Sequence, residues 1–223
     1  MSKMLLKSEI KKCKYDKVYF INKYITPLYK SQELILQNNN NKIIEHCRQS
    51  GFTTTIALDS LHNLLFNGGK NCVIFCDTVV ECKRLSKSIF DLYSKLPNYI
   101  KEMFPIMDRR YNEIQFANNS KIYFNLYKSI EMYGMYSVHF LAFDNIHSFK
   151  DFENGFNSMM NTITMDCKIY IGLNTVELGN TRSFNFLKNF DRLYMDNTGL
   201  YKTVSASKNV ISNSIKKCNM IYN

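Results

Sequence analysis

The chain contains no tryptophan and only three prolines, and none of its apolar runs approaches the roughly 18 residues that a bilayer-crossing helix requires. Residues 1–17 are basic but have neither an apolar central stretch nor a small-residue cleavage site, so the sequence predicts no secretory leader. The missing tryptophan is offset by 16 Phe and 15 Tyr, and hydrophobic residues make up 45% of the 223 residues. This composition excludes general disorder and predicts a folded domain with a sizeable core.

The seven cysteines are an odd number, and no two of them have the Cys-x-x-Cys spacing that zinc sites use. A chain of this length does not need disulfides to stabilise its core. The sequence therefore predicts reduced thiols in an intracellular compartment.

Positive charge is in excess, because 29 lysines and arginines oppose 19 aspartates and glutamates and give a net charge of +10. Such an excess favours a polyanionic partner such as nucleic acid, but a solvated lysine-rich surface has the same composition. The basic run from Lys7 to Lys17 is either a polyanion contact or a solvated helix face. We predict a basic N-terminal arm over residues 1–20 and one domain over residues 21–223.

Short apolar runs alternate along the chain with segments of helical periodicity. Strands are predicted at 42–47, 72–76, 113–116, 121–124, 138–143 and 168–171, and helices at 31–37, 53–66, 79–96 and 152–164. The pair Asn118-Asn119 between two of the strands predicts a hairpin. The alternation predicts an α/β fold whose mainly parallel sheet has helices on both faces. Ligands of such sheets bind beyond the carboxyl ends of the strands.

Three segments lie at those carboxyl ends. They are Arg48-Gln49-Ser50-Gly51-Phe52-Thr53-Thr54, the pair Asp144-Asn145 after Leu141-Ala142-Phe143, and Gly172-Leu173-Asn174-Thr175. With residues 66–70 and 113–120, and in this order, they resemble the ATPase domain of the large terminase subunit, the DNA-packaging motor of tailed bacteriophages. The resemblance spans about residues 24–190 and lies in the joint order and spacing of the segments, because no single motif is intact.

The resemblance implies a phosphate-loop NTPase core that takes ATP with Mg²⁺. The implied nucleotide-binding residues are Arg48, Gln49, Ser50, Gly51, Phe52, Thr53 and Thr54 of the loop, with Gln32 at the adenine. Thr53 and Asp144 would hold Mg²⁺, and the implied catalytic positions are Asp144, Asn145 and Arg48, the last as an arginine finger in cis.

Each of these positions also has a plainer structural interpretation. The loop could be an ordinary connection between a strand and a helix, and Asp144 could cap the end of a buried strand. Arg48 could form a surface ion pair, and Gln32 could be an exposed helix residue. The residues alone leave these alternatives open.

Four departures from the family pattern affect different parts of the machinery. Phe52 occupies the position of the phosphate-binding lysine, and its ring can neither donate a hydrogen bond nor carry charge. Asn145 replaces the glutamate that activates water, and an amide cannot accept the proton. Tyr133 replaces an arginine, and Gly172-Leu173-Asn174 is an eroded form of the threonine-rich coupling motif.

These departures predict a catalytically degenerate module that acts by binding in viral DNA packaging or virion assembly. The chain after Asp144 is too short for a two-metal nuclease domain, so none is expected. The implied partners are double-stranded DNA, portal or other packaging proteins and copies of the chain itself, but no membrane. The expected location is the host cytoplasm or the virion, and retention of ATP and Mg²⁺ is left open.

Two other functions remain open on the sequence. One is an active packaging ATPase whose phosphate-binding lysine has been relocated, with Lys70 and Lys121 as candidates. The other is a plain nucleic-acid-binding module that no longer uses the nucleotide pocket.

Overall fold

The computed structural model of the chain describes residues 3–47, 49–127, 137–146, 149, 152–174, 190–195 and 201–203. The helices in these ranges are α1 (Lys3–Tyr15), α2 (Lys17–Tyr24), α3 (Lys30–Gln37), α4 (Phe52–Phe66), α5 (Val79–Ser94), α6 (Asn98–Met103) and α7 (Phe152–Met159). The strands are β1 (Lys42–His46), β2 (Asn71–Cys76), β3 (Ile106–Arg109), β4 (Glu113–Phe116), β5 (Lys121–Leu126), β6 (Val138–Phe143), β7 (Ile163–Asn174), β8 (Asp191–Met195) and β9 (Tyr201–Thr203).

The strands form one sheet in the order β3-β4-β5-β2-β6-β7-β1-β8-β9. All neighbouring pairs from β5 through β2, β6, β7 and β1 to β8 are parallel. The pairs β3–β4, β4–β5 and β8–β9, toward the two edges of the sheet, are antiparallel. The prediction of an α/β fold with a mainly parallel sheet is therefore confirmed.

Alternate residues of the central strands pack into two separate apolar clusters, because successive side chains of a strand point to opposite faces. In β2, Cys72 and Ile74 belong to the larger cluster, which also contains buried residues of α1 to α6. Val73 and Phe75 of the same strand belong to the second cluster, together with the buried face of α7. Both faces of the sheet are thus covered by helices, as the sequence predicted.

The predicted hairpin is present, since β4 and β5 are antiparallel and Asn119 between them has a φ of 63°. The predicted bounds of two neighbouring elements are wrong: the helix expected to run to residue 164 ends at Met159, and the strand expected at 168–171 spans Ile163–Asn174 as β7. The β-branched run Thr162-Ile163-Thr164 favours a strand, and this preference overrides the apolar periodicity that suggested a longer helix. The short elements α2, α6, β3, β8 and β9 were not predicted as separate elements.

The two N-terminal helices pack on the same core as the rest of the fold. Cys13, Phe20 and Ile21 are fully buried in the larger cluster. The ring of His62 in α4 donates a hydrogen bond from Nε2 to the carbonyl oxygen of Cys13 at 2.9 Å. Helix α2 continues through residue 20, where the basic arm was predicted to end. Phe20 and Ile21, on the two sides of that predicted boundary, are both buried.

A buried carboxylate connects α2 to the middle of the sheet. Asp59 of α4 is fully buried and accepts hydrogen bonds from Lys17 at 2.8 Å, from Lys168 at 2.6 Å and from the Tyr170 hydroxyl at 2.6 Å. Burial opposes ionisation of Asp59, but Lys168 and Lys17 outweigh it and hold the pKa of the carboxyl well below its usual range. The carboxylate therefore stays charged and joins three elements that are distant in the sequence.

No helix within the described ranges is long and apolar enough to cross a membrane. The six cysteines that the structure describes are all free and buried. Those same ranges bring no three His, Cys, Asp or Glu side chains together in a way that could hold a metal ion.

Candidate nucleotide-binding site

A cleft of about 720 Å³ lies at the carboxyl ends of the parallel strands, a size typical of small-molecule sites. Six of the loop positions implied by the sequence line it: Gln49, Ser50, Gly51, Phe52, Thr53 and Thr54. Asn145, which follows the end of β6, and residues of α5 form other parts of the wall. The fold thus brings the loop after β1 and the position after Asp144 to one cavity.

The loop after β1 turns sharply into α4 through two residues in the left-handed region. Gln49 has a φ of 62° and Gly51 a φ of 86°, and glycine takes this conformation without a steric penalty. The Ser50 amide donates to the carbonyl oxygen of Cys47 at 3.4 Å, and the Gly51 carbonyl accepts the first helical bond, from the Thr55 amide at 2.9 Å. The first amides of α4 have no partner inside the helix and are available to a phosphate at the cleft.

Gln32 of α3 is hydrogen-bonded to this loop. Its side-chain oxygen accepts a hydrogen bond from the Tyr29 amide at 3.0 Å, and its Nε2 donates to the Gly51 carbonyl at 3.4 Å. Gln32 is only 4% exposed and is not among the residues described as lining the cleft. In this structure its amide holds the loop, and the adenine contact implied by the resemblance remains a prediction.

Thr53 and Asp144, the two implied Mg²⁺ ligands, are in direct contact. The Thr53 hydroxyl donates to the Asp144 carboxylate, at 3.1 Å from Oδ2 and 3.3 Å from Oδ1. The Asp144 amide is fixed by a 3.0 Å hydrogen bond to the carbonyl oxygen of Phe75 in the neighbouring strand. A hydroxyl beside a carboxylate is a donor set that suits Mg²⁺, which prefers oxygen ligands.

The Asp144 carboxyl is 7% exposed, and burial raises its pKa to about 6. The hydrogen bond from Thr53 and the charge of Arg84 act in the opposite direction, whereas the nearby Glu81 raises the pKa further. The carboxyl is therefore neutral in mildly acidic solution and ionised, as a metal ligand must be, above about pH 6.

Asn145 stands next to Asp144 in the left-handed conformation, with a φ of 58°. Asparagine tolerates this region better than most residues with a side chain. It lines the cleft at the position where the resemblance places a glutamate. Its amide can orient a water molecule by hydrogen bonding but cannot take the proton of that water.

Phe52, at the position where the resemblance implies a phosphate-binding lysine, is turned into the core. Its ring is 2% exposed and stacks on the ring of His46, with the centroids 4.4 Å apart and the planes at 22°. The ring also packs over Gly172 of β7, so closely that a Cβ built on Gly172 would lie only 2.8 Å from Cζ of Phe52. The missing side chain at Gly172 makes the room that the phenyl ring occupies.

The wall formed by α5 contains residues that the sequence analysis did not single out. Glu81, Arg84, Leu85 and Ser88 line the cleft, and their spacing places them on one face of the helix. Arg84 is exposed, and among the described lining residues it is the single lysine or arginine. The signal that could have found it is its place in the first turns of the helix after β2, at the edge of the sheet where ligands bind.

The other candidate residues lie elsewhere or outside the described ranges. Lys70 pairs with Asp166 at 3.1 Å and Lys121 with Glu113 at 3.2 Å, and neither lysine is described as lining the cleft. Arg48 and Tyr133, as well as Thr175 of the coupling motif, lie outside the residues that the structure describes.

Three phage large terminases are similar to this structure. The large terminase of a thermophilic bacteriophage has a TM-score of 0.57 at 14% sequence identity, over 85% of this chain and 50% of that one. The ATPase domain of the Thermus phage P74-26 large terminase has a TM-score of 0.54 at 11% identity, over 70% and 68%. The bacteriophage HK97 large terminase has a TM-score of 0.55 at 13% identity, over 73% and 37%. The chain has a terminase-like ATPase fold.

This similarity is one of fold. No family model matches the chain, and no curated protein sequence matches it significantly. The chain spans about half the length of the first of these terminases. Structures of that terminase with ADP and with ATP-γ-S are also similar to the chain, with TM-scores of 0.53 and 0.51. The resemblance that the sequence segments indicated is confirmed at the level of the ATPase fold.

Proposed function

We propose that the chain is a catalytically degenerate, terminase-like ATPase module of a viral DNA-packaging or virion-assembly apparatus, which binds nucleotide without hydrolysing it. The observation that carries the proposal is the placement of Phe52. Its ring is buried against His46 and Gly172 at the position where the loop would need a lysine. A charge at that position matters most when the phosphoryl group is transferred, so its loss affects turnover more than binding.

The missing base is a second reason to expect no hydrolysis. Asn145 lines the cleft beside Asp144, but its amide cannot accept a proton from water. Asp144 itself is already engaged by the Thr53 hydroxyl and would serve as a metal ligand. Without a base at this position, a bound nucleotide is expected to remain intact.

The features that the site retains support binding. Gly51, in the left-handed conformation, and the first residues of α4 line the cleft, where the first amides of the helix can donate to phosphate oxygens. Thr53 and Asp144 supply a hydroxyl and a carboxylate for Mg²⁺. A similar terminase has been solved with ADP and with ATP-γ-S, and we extend this ligand class to the cleft of the present chain.

Phosphate release and thermal stabilisation, measured with ATP and Mg²⁺, test the proposal. We expect the wild-type chain to release no more phosphate than Asp144→Ala, and its melting temperature to rise with added nucleotide. Turnover of about 1 s⁻¹ that disappears in Asp144→Ala would identify an active packaging ATPase instead. Absence of both turnover and stabilisation would favour the plain nucleic-acid-binding module.

The proposed DNA partner is supported by the surface of α1. Lys7, Lys11 and Lys14 are exposed, and their spacing places them on one face of the helix. Glu9, the one acidic residue of α1, is turned into a cluster with Lys23, whose Nζ lies 2.8 Å from its carboxylate. The exposed stripe is thus free of an opposing charge on its own helix, as a contact with phosphates requires.

Salt dependence of duplex DNA binding tests this part of the proposal. We expect affinity to fall steeply with added salt and to be insensitive to base sequence, because binding by lysines releases counterions. Replacement of Lys7, Lys11 and Lys14 by glutamine should reduce the slope of log K against log salt by about 0.9 for each DNA phosphate that is no longer neutralised. Binding that does not change with salt, or a slope that the triple variant leaves unchanged, would reject the α1 stripe as the DNA contact.

A further inference from the structure

The loop at the cleft has no lysine in the phosphate-binding position, but α5 contributes a cation to the lining of the same cleft. Phe52 fills the lysine position with an uncharged ring that is packed in the core. Arg84, on α5, faces the same cavity. We propose that Arg84 is the residue that binds the phosphate chain of a nucleoside polyphosphate here, in place of the missing loop lysine. This inference rests on the proposed nucleotide-binding function.

The guanidinium of Arg84 is available to a ligand. The side chain is exposed and makes no ion pair with any residue that the structure describes. The nearest acidic neighbour on its helix, Glu81, is committed to the helix cap, because its Oε2 accepts hydrogen bonds from the amides of Asp77 and Thr78 at 3.2 Å. A cation that lines a cleft and is paired with none of the described residues is positioned to receive an anion.

The position of Arg84 relative to the metal pair suits a polyphosphate. Arg84 lines the same cavity as Thr53, whose hydroxyl is bonded to the Asp144 carboxylate, and as Asn145, which follows Asp144 in the chain. A phosphate chain bound in this cleft could then accept hydrogen bonds both from the first amides of α4 and from the guanidinium of Arg84.

Arginine is suited to this contact by its shape as well as its charge. Its planar guanidinium can donate two parallel hydrogen bonds to a phosphate, whereas lysine acts as a point charge. Ser88, one turn farther along α5, also lines the cleft and offers a hydroxyl on the same wall. Adenosine lacks the phosphates, so its binding should not depend on Arg84.

The test compares the full-length chain with Arg84→Gln, Arg84→Lys and the matched control Lys87→Gln. Lys87 is an exposed cation on the same helix, and it lies outside the set of described residues that line the cleft. Affinities for ATP with Mg²⁺, for inorganic tripolyphosphate and for adenosine are measured by calorimetry. We expect Arg84→Gln to weaken ATP and tripolyphosphate binding about tenfold or more, which is the loss of one charge-assisted hydrogen bond. Arg84→Lys should recover part of the loss, and Lys87→Gln should match the wild type.

The outcomes separate this inference from the proposed function. If the wild type binds no nucleotide, both are overturned. If it binds ATP and Arg84→Gln binds equally well, the Arg84 inference alone fails. A loss of affinity for adenosine in the same variant would indicate damage to the cleft as a whole, and would also reject it. A 20-base-pair duplex is added as a competitor: displacement of tripolyphosphate from the wild type but not from Arg84→Gln would assign Arg84 to the nucleic-acid backbone instead.

Discussion

The ring of Phe52 occupies the space that a side chain at position 172 would need. A Cβ on Gly172 would lie closer than van der Waals contact to three ring carbons, at 2.8 Å from Cζ and 3.1 Å from Cδ1 among them. Two of the departures that the resemblance implies, at Phe52 in the loop and at Gly172 in β7, therefore meet in one contact. The large side chain of Phe52, at the start of α4, leaves room only for a glycine at position 172 of β7, the strand on which its ring packs.

We expect Gly172→Ala to destabilise the wild-type chain, because the new methyl group overlaps the Phe52 ring. The cost should be about 1–3 kcal/mol of unfolding free energy, as for other overpacked cores. In a Phe52→Ala background the overlap is absent, and the same substitution should be nearly neutral. Urea unfolding of the four proteins gives the coupling energy between the two positions, which we expect to reach about 1–3 kcal/mol.

The Phe52→Ala chain is the internal control of this cycle. Loss of the buried ring should itself cost about 3–5 kcal/mol, so the cycle must be measured under conditions where that variant remains folded. Additive effects of the two substitutions would show that Phe52 and Gly172 do not share the space that the structure assigns to them.

Most of the sheet could be predicted from the sequence, because its strands are short continuous apolar runs separated by amphipathic helices. The run at β2 and the helix α5 that follows it were predicted with nearly the observed bounds. Periodicity fails where it competes with local propensity, as at Met159 to Ile163, and where an element is too short to show a period, as in β3. The order of strands in the sheet has no direct local signal and needed the structure.

The sequence predicted only those parts of the candidate site that lie in a recognisable motif at the end of a strand. Gly51, Thr53 and Asp144 could be brought together because parallel strands end at one edge of the sheet. The packing of Phe52 on Gly172 could not be predicted, because the two residues are distant in sequence and neither residue type indicates which residue it contacts. Arg84 was missed because an arginine on the polar face of an amphipathic helix looks like any solvated cation.

Asp144→Asn should make the chain more stable at neutral pH. The wild-type carboxyl has a pKa of about 6 when folded and about 3.9 when unfolded, so the folded state retains a proton that the unfolded state loses between these values. Wild-type stability therefore falls as the pH rises from about 4 to 6, by at most about 3 kcal/mol. The asparagine variant avoids this loss but keeps a side-chain oxygen for the Thr53 hydroxyl.

Unfolding by urea at pH 4 and at pH 7.5 checks the sign. The two proteins should be nearly equal at pH 4, and the variant should be the more stable at pH 7.5. His62, whose pKa burial lowers to about 4, titrates in both proteins and cancels in the difference. Equal stabilities at pH 7.5, or a variant that is less stable there, would contradict a raised pKa for Asp144. The stabilised variant should also lose the stabilisation by Mg²⁺ and nucleotide expected of the wild type.

Asp59→Asn should be strongly destabilising. The substitution removes the negative charge that pairs with both Lys17 and Lys168. It leaves the two ammonium groups, which are largely buried, without a counter-charge at position 59. Breaking a buried ion pair in this way costs about 3–5 kcal/mol. Asp166→Asn, which removes the exposed pair with Lys70, is the matched control and should cost about 0–1 kcal/mol.

The comparison of these two variants also tests the attachment of α2. Because Lys17 is the first residue of α2, loss of Asp59 should expose the amides of that helix to hydrogen exchange more than those of β2. An Asp59→Asn chain as stable as Asp166→Asn would mean that the buried carboxylate contributes no more than a surface ion pair.

Phe52→Lys should increase the affinity for ATP and lower the stability of the fold. The lysine would return a charged donor to the loop, and one charge-assisted hydrogen bond corresponds to about a tenfold or greater gain in affinity. The same change removes the ring that stacks on His46 and fills the space over Gly172, at a cost of about 3–5 kcal/mol. Calorimetric titration and urea unfolding of one preparation measure the two effects together.

Turnover should not return with binding. Asn145→Glu alone supplies a base without the loop cation, and groups that act as a unit do not contribute separately. The double variant Phe52→Lys with Asn145→Glu keeps the two other departures that the resemblance implies, Tyr133 for an arginine and Gly172-Leu173-Asn174 for the coupling motif. We therefore expect phosphate release by the double variant to stay at the level of Asp144→Ala even when the cleft is saturated with ATP. Hydrolysis by the double variant that Asp144→Ala abolishes would mean that Phe52 and Asn145 are sufficient to explain the loss, and that the remaining departures are compatible with catalysis.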